Sequence, residues 1–266
     1  MKTNNKNGVI NMTMLGMTKD GQVIEGRGTR NTVVVGAVGS GKGFGYIVPN
    51  ILLEEEKSML VMDWWKELEH TYPYKEAQGY QIFTYDLSKE GVLQTFQEDL
   101  RSKREQKRMM YVTGYYEVCG KQVYELLEEL QKVQWEEGLH VFLDNYENYP
   151  FSQVEKMFQV CKGNRISLSL ILQSVTTLQE LRNVQDNCDY ILFKGGHSPE
   201  ECKWICKQVG EVLISKEGER ETFRTVQRDE ILCMGSNTAL LLSHDEPSRF
   251  IETLNTDGIV KCGSNK

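Results

Sequence analysis

The chain has 266 residues, 39% of them hydrophobic, and its 31 Lys and Arg against 38 Asp and Glu leave a formal charge of −7. This length accommodates one large α/β domain, or one domain with a small insertion. The acidic balance excludes a global field that attracts nucleic acid or anionic membrane, so either partner would need a local patch. No apolar run reaches the ~18 residues of a transmembrane segment.

The opening segment, MKTNNKNGVINMTM, lacks the apolar core of a signal peptide. Apolar runs then alternate with amphipathic ones, the pattern of an α/β fold with a mostly parallel central sheet flanked by helices. Strands are predicted at 32–36, 58–63, 80–85, 140–144, 167–173, 189–193 and 238–243. The runs SLSLIL and TALLLS are apolar enough for burial on both faces of a sheet. Helices are predicted between them. One spans 42–53, and a second spans 121–137, where Val123, Leu126, Leu127, Leu130 and Val133 form one stripe. A third opens on Ser198-Pro199-Glu200-Glu201, a capping box with proline at the first helical position, and ends at Gly210. With five prolines the chain has no long rigid linker. The division expected is an N-terminal extension over 1–30, a main domain over 31–250 with a short helical insertion at about 91–138, and a tail over 251–266.

Seven cysteines are scattered along the chain, at positions 119, 161, 188, 202, 206, 233 and 262. An odd number without framework spacing fits a reducing cytoplasm better than a disulfide scaffold. Cys202 and Cys206, with His197 just before them, lack the tighter paired spacing of a zinc site and read as one face of a helix.

The strand at 32–36 runs into GAVGSGKG, residues 36–43. A phosphate-binding loop requires G-x-x-x-x-G-K followed by Ser or Thr; Gly36, Gly41 and Lys42 fit, and Gly43 does not. Such a loop works because successive backbone N–H groups converge on an anion in front of a helix N-terminus. Gly36, Gly39, Ser40, Gly41, Lys42 and Gly43 are therefore the candidate ATP-binding residues. The missing hydroxyl is the one that ordinarily ligates Mg²⁺, a position that water can also fill. A second strand, LHVFLDNYENY, ends at Asp144, a candidate to orient Mg²⁺ or its water. Many ATPases follow that carboxylate with Glu; this chain has Asn145, whose amide binds water and cannot take its proton. Glu147, two residues further on, is the candidate substitute. Gln173, at the end of SLSLILQS, is a candidate sensor of the terminal phosphate. Each piece taken alone also fits a plainer description: a glycine-rich turn, a strand-end turn aspartate and a strand-end polar residue.

In order, these segments resemble the coupling proteins of conjugative type IV secretion, the TraG/VirD type, from about Asn31 to Glu246. RNTVVVGAVGSGKGFGYIVPNIL is similar to the family's Walker A segment, including the later Pro49-Asn50. SMLVMDWWKEL resembles the strand ending in D-P-K-G-E, and GYQIFTYDLS the strand after it. VFLDNYENYP resembles the Walker B segment L-D-E-F-A-N, and ISLSLILQSVTTL the sensor strand. DNCDYILFKGG and RDEILCMGSNTALLLSHDEP resemble the two segments that follow. The resemblance implies a RecA/FtsK-like P-loop NTPase domain. It further implies a hexameric cytoplasmic motor beside the inner membrane that couples ATP hydrolysis to DNA or protein transfer, with other subunits of the conjugation machine as partners.

The departures fall where the family's chemistry sits. Gly43 replaces the Walker A Ser/Thr, Asn145 the Walker B Glu, and Trp65 the lysine of D-P-K-G-E. Lys162 and Asn164 occupy the slots of the arginines before the sensor strand. Loss of a positioned base alone costs about 10²–10⁴ in rate. Nothing before Asn31 matches the family's membrane anchor, and its all-helical domain is reduced to about 91–138, room for two helices. The expected function is thus a nucleotide-binding accessory or regulatory subunit with weak or no ATP hydrolysis. The alternatives are a working ATPase that uses Glu147, and a scaffold that binds no nucleotide.

Two surface features stand apart. RSKREQKR, residues 101–108, holds five basic residues in eight and is the candidate nucleic-acid patch, though Glu98, Asp99 and Glu105 are near enough to pair with it. Trp64 and Trp65 are adjacent, so one is expected in the core and the other at an interface, against a base, or half-buried with no role.

Overall fold

The structure is a computed structural model and describes residues 12–102, 106–114, 116–145, 151–216 and 219–254. In chain order the strands and helices begin with β1 (Met12–Met17), β2 (Val23–Arg27), β3 (Thr32–Val35), α1 (Val48–Leu53), β4 (Ser58–Met62), α2 (Tyr72–Ala77), β5 (Gln81–Asp86) and α3 (Val92–Arg101). They continue with β6 (Arg108–Thr113), α4 (Tyr116–Lys132), β7 (Leu139–Leu143), α5 (Phe151–Val160), β8 (Ile166–Leu172), α6 (Val175–Glu180), α7 (Arg182–Asn187) and β9 (Tyr190–Lys194). The last are α8 (Pro199–Val209), β10 (Glu211–Lys216), β11 (Glu219–Arg224), α9 (Arg228–Leu232), β12 (Thr238–Ser243) and β13 (Arg249–Glu252).

Eleven strands form one sheet in the order β2-β1-β13-β12-β9-β3-β8-β7-β4-β6-β5. From β9 to β5 every pairing is parallel, and from β9 back to β2 every pairing is antiparallel. All seven strands read from the sequence are present within a residue or two of their expected ends. Successive side chains alternate between two cores. Val33, Val35, Leu60, Met62, Val141, Leu143, Leu168 and Leu170 face one side, under α3–α9. Val34, Met59, Val61, Phe142 and Ile171 face the other, under α1 and the segment around α2. Burial on both faces is why β3, β4, β7 and β8 are buried along their whole lengths.

The serines of SLSLIL are the exception to that apolar pattern, and they hold the helix after the loop in place. Ser169 Oγ is 2.8 Å from the Tyr46 hydroxyl and 2.8 Å from His140 Nε2, and Lys57 Nζ donates to Ser167 Oγ at 3.3 Å. Burial pushes the Tyr46 hydroxyl up to about 12 and, with the nearby Lys57 charge, holds His140 neutral. Asn50 ties α1 to β1: its amide donates to Met14 O and accepts from Met14 N, both at 2.9 Å.

Three expectations are corrected, and one element had no counterpart among them. The helix expected over 42–53 begins as a π-helical turn, Gly43–Ile47, before α1. Gly43 and Gly45 weaken the regular helix there, and Pro49 has no N–H to donate, so the turn widens and Val48 N reaches back to Gly43 O. The helical insertion at 91–138 contains a strand: β6 is buried throughout and pairs between β4 and β5. Residues counted as an N-terminal extension supply β1 and β2, and β13 crosses the limit at 250, so the sheet extends beyond the domain expected at 31–250. Finally, β10 and β11 form a separate two-stranded sheet that carries no alternating apolar signal in the sequence.

Candidate nucleotide-binding site

The parallel strands β9, β3, β8, β7 and β4 all end at one edge of the sheet, the edge where open α/β sheets bind ligands. At that edge β3 delivers the glycine loop, β8 delivers Gln173 and β7 delivers Asp144. The loop and Asp144 stand two strand spacings apart, about 10 Å, with Gln173 between them.

The loop is built for backbone alone. Gly39 and Gly41 have φ of +78° and +80°, where a side chain is strained. A Cβ on Gly36 would lie 2.6 Å from Ser40 Oγ and 2.9 Å from Lys194 Cβ. Neighbouring strands brace the loop: Gly36 N donates to Leu172 O at 3.2 Å and Ala37 N to Gly195 O at 3.3 Å. Lys42 folds back over it and donates from Nζ to Gly36 O at 2.6 Å and Ala37 O at 2.9 Å. Ser40 Oγ is buried without a hydrogen-bond partner. Thus Gly36, Gly39, Ser40, Gly41, Lys42 and Gly43 come together as one turn that opens a helix.

Asp144 and Asn145 are half-buried at the end of β7. Asn145 adopts a left-handed φ of +53°, which asparagine tolerates. Its backbone N donates to Asp144 Oδ1 at 2.9 Å. Gln173 Nε2 donates to Asn145 Oδ1 at 2.7 Å, so the three residues form one chain of hydrogen bonds. Glu147, the candidate substitute base, lies outside the described residues. Among the described residues, Gly43 brings no side-chain oxygen to a Mg²⁺ site, and the Asp144 carboxylate accepts from the Asn145 backbone and side chain.

A groove of about 570 Å³ lies beside the loop, lined by Gly41, Phe44, Gly45, Asn237, Thr253 and Leu254 among others. Phe44 is 70% exposed and stacks toward His70, their ring centroids 6.4 Å apart. Sequence reasoning missed two elements of this region. Lys194, at the end of β9, is buried under the loop, and the 236–237 and 253–254 segments wall the groove. The strand ending at Lys194 was legible, but only the topology puts that strand beside β3.

Other predicted residues take structural positions. Asp63 accepts from Glu67 N at 2.9 Å and Leu68 N at 3.1 Å, closing the turn that buries Trp64 and leaves Trp65 65% exposed. Lys162 pairs with Asp189 and Asn164 donates to Gln131 O at 2.8 Å, both at the opposite edge of the sheet from the loop. In the basic stretch, Arg108 is turned inward, its guanidinium donating to Asp99 O at 2.9 Å and Ser102 O at 2.7 Å at the end of α3. Lys107 donates to Glu55 O. Those two residues are therefore not a free basic face, and Lys103 and Arg104 lie outside the described residues. Cys202 and Cys206 are buried in the core from α8. The capping box of that helix is formed as read, with Ser198 Oγ accepting from Glu201 N. Among the described residues, no helix is long and apolar enough to cross a membrane.

Residues 138–246 match the family described as the TraM recognition site of TraD and TraG, and residues 1–96 match type IV secretory system conjugative DNA transfer. The bacterial conjugative coupling protein TrwB in an unbound form is similar at 10% identity over 85% of this chain and 84% of that one, with a TM-score of 0.63. TrwB in complex with ADP and Mg²⁺ is similar at 11% identity over 85% and 86%, with a TM-score of 0.62. The genome packaging NTPase of Sulfolobus turreted icosahedral virus 2, in complex with AMPPCP, is similar at 15% identity over 85% and 98%, with a TM-score of 0.55. No curated protein matches the chain. The structural likenesses carry the P-loop NTPase fold, and the family matches cover both the loop and the Asp144–Gln173 half of the site; the chain belongs to the TraG/TraD-type coupling proteins of conjugative type IV secretion.

Proposed function

We propose that this chain is a nucleotide-binding accessory or regulatory subunit of a conjugation machine, holding ATP at residues 36–43 and hydrolysing it weakly or not at all. The observation that carries this reading is the Gln173–Asn145 hydrogen bond of 2.7 Å. At the position where a glutamate would take a proton from water, the chain has an amide that accepts no proton and is engaged by the sensor glutamine. The braced glycine loop and Lys42 support phosphate binding, and the Phe44 groove has room for the nucleoside part. Structures of TrwB with ADP and Mg²⁺ and of the viral packaging NTPase with AMPPCP support the nucleotide class.

As partners we propose other subunits of the machine, including TraM, which the matched family's description names. A ring of six and a place on the cytoplasmic side of the inner membrane follow from the resemblance. The deciding experiment is equilibrium ATP binding with and without Mg²⁺, beside steady-state phosphate release, for wild type and Lys42→Ala. Binding lost in Lys42→Ala without measurable turnover is expected. Turnover abolished by Lys42→Ala would establish a working motor, and absence of binding would leave a scaffold.

A further inference from the structure

The Lys194 side chain packs against the phosphate loop at Gly36 and Gly41, and against Gly45 just after it. It is 1% exposed, and its Nζ donates to Ser236 O at 2.8 Å. A Cβ on Gly36 would lie 2.9 Å from its Cβ, and a Cβ on Gly45 would lie 2.8 Å from its Nζ. One on Gly41 would lie 3.6 Å from the same nitrogen. Gly36 therefore lies against the stem of Lys194, and Gly41 and Gly45 leave the backbone close to its ammonium, while Lys42 folds over the loop.

The charged groups around Lys194 are few. The loop contributes Lys42, and the 236–237 segment contributes none. β13 ends in the exposed Glu252, ahead of Thr253. Beyond its own strand stand His197, whose burial holds it neutral, and Glu201, which is engaged by Ser198 N and Val175 N at 2.8 Å each. Among the described residues Lys194 has no carboxylate partner. Burial, and after it the charge of Lys42, lower it to about 8. A buried ammonium with only a carbonyl partner is costly unless an anion lies near it.

We propose that Lys194 is a built-in counter-charge for the phosphates of a bound nucleotide, acting through the loop in place of the divalent cation for which Gly43 offers no ligand. This rests on the nucleotide-binding reading above. Lys194 touches the loop and not the phosphates, so it is a positioning residue. A polyphosphate stabilises its charged form, and by reciprocity the charged form strengthens polyphosphate binding.

The test is calorimetric titration of the full chain with ATP in EDTA and in Mg²⁺, from about pH 7 to pH 9.5, for wild type, Lys194→Met and Lys194→Arg. For wild type, the affinity is expected to be the same with and without Mg²⁺ and to fall about tenfold across that range as the ammonium deprotonates. Lys194→Arg, which does not titrate there, is expected to keep the neutral-pH affinity and lose the Lys194-dependent fall. Lys194→Met is expected to bind about tenfold more weakly at neutral pH with a flattened profile. A purely structural lysine would not move the pH profile. Binding that needs Lys42 but is unchanged in both Lys194 variants overturns the counter-charge and leaves the nucleotide reading standing. No binding by wild type under any condition overturns both. If Lys194→Met fails to fold, a wild-type profile that is flat to pH 9.5 overturns the proposal on its own.

Discussion

Gln173 Nε2 donates to Asn145 Oδ1 at 2.7 Å, joining the tips of two neighbouring strands at the edge where the phosphate loop lies. On the function proposed above, asparagine in place of a Walker B glutamate removes a proton acceptor and also gives the Gln173 amide a neutral partner. Asn145 also holds a φ of +53°, a conformation that costs a glutamate about 1–2 kcal/mol and an asparagine less.

The first prediction concerns reversal. A Cβ on Gly43 meets nothing within 4 Å, and the residue is helical, so Gly43→Ser is sterically free. This substitution is expected to make ATP affinity depend on Mg²⁺ by about tenfold, which calorimetry with and without EDTA measures. Asn145→Glu alone is expected to yield no turnover, because the metal side of the site remains incomplete. Together the two substitutions are expected to raise Mg²⁺-dependent phosphate release above wild type. Release by the double variant no faster than by wild type would contradict this.

The second prediction separates two glycines two residues apart. Gly45→Ala places a Cβ 2.8 Å from Lys194 Nζ and 3.2 Å from Thr253 Cβ, so the buried ammonium must move off Ser236 O and the Thr253 side chain must give way. It is expected to cost about 1–3 kcal/mol and to lower the melting temperature. Gly43→Ala enters open space in a helical turn and is expected to stabilise by about 0.5–1 kcal/mol, chiefly by restricting the unfolded chain. Thermal melts of the two variants check the sign of each.

The pieces legible in the sequence were those whose physics is local. The apolar runs gave away the seven strands, the glycine spacing the loop, and Ser198 with Glu201 the helix start. The remainder depends on contacts between distant segments. RMMYVT is short and follows a basic stretch, and only its parallel pairing between β4 and β5 buries it. Arg108 looked available to a polyanion because the carbonyls it satisfies, those of Asp99 and Ser102, are nine and six residues before it. Lys194 is silent in sequence because a lysine at a strand end is ordinarily solvated; adjacency of β9 to β3 puts it beneath the loop. The serines of β8 were read within an apolar run, and their partners Tyr46 and His140 lie far away in the chain.

The third prediction follows from that buried network. His140 is 1% exposed, with Ser169 and the ring of Phe142 as neighbours. Burial, then the nearby Lys57 charge, hold its ring well below the ordinary histidine range, and burial lowers His197 as well. In the unfolded chain both rings protonate near about pH 6.5. Between that pH and the lower folded values the unfolded state binds more protons, so stability rises with pH there. The contribution is fully present above about pH 6.5 and is lost as the pH falls below it, by about 1.4 kcal/mol per pH unit for each ring still neutral in the fold. Urea unfolding at about pH 7, 6 and 5 is expected to show this loss, and His140→Gln is expected to reduce the slope by about one proton. Glutamine keeps a hydrogen-bonding group toward Ser169 Oγ, which limits the penalty of leaving that hydroxyl with one partner. An unchanged slope in His140→Gln would mean that the ring is protonated in the folded protein, with its charge offset by movement of Lys57.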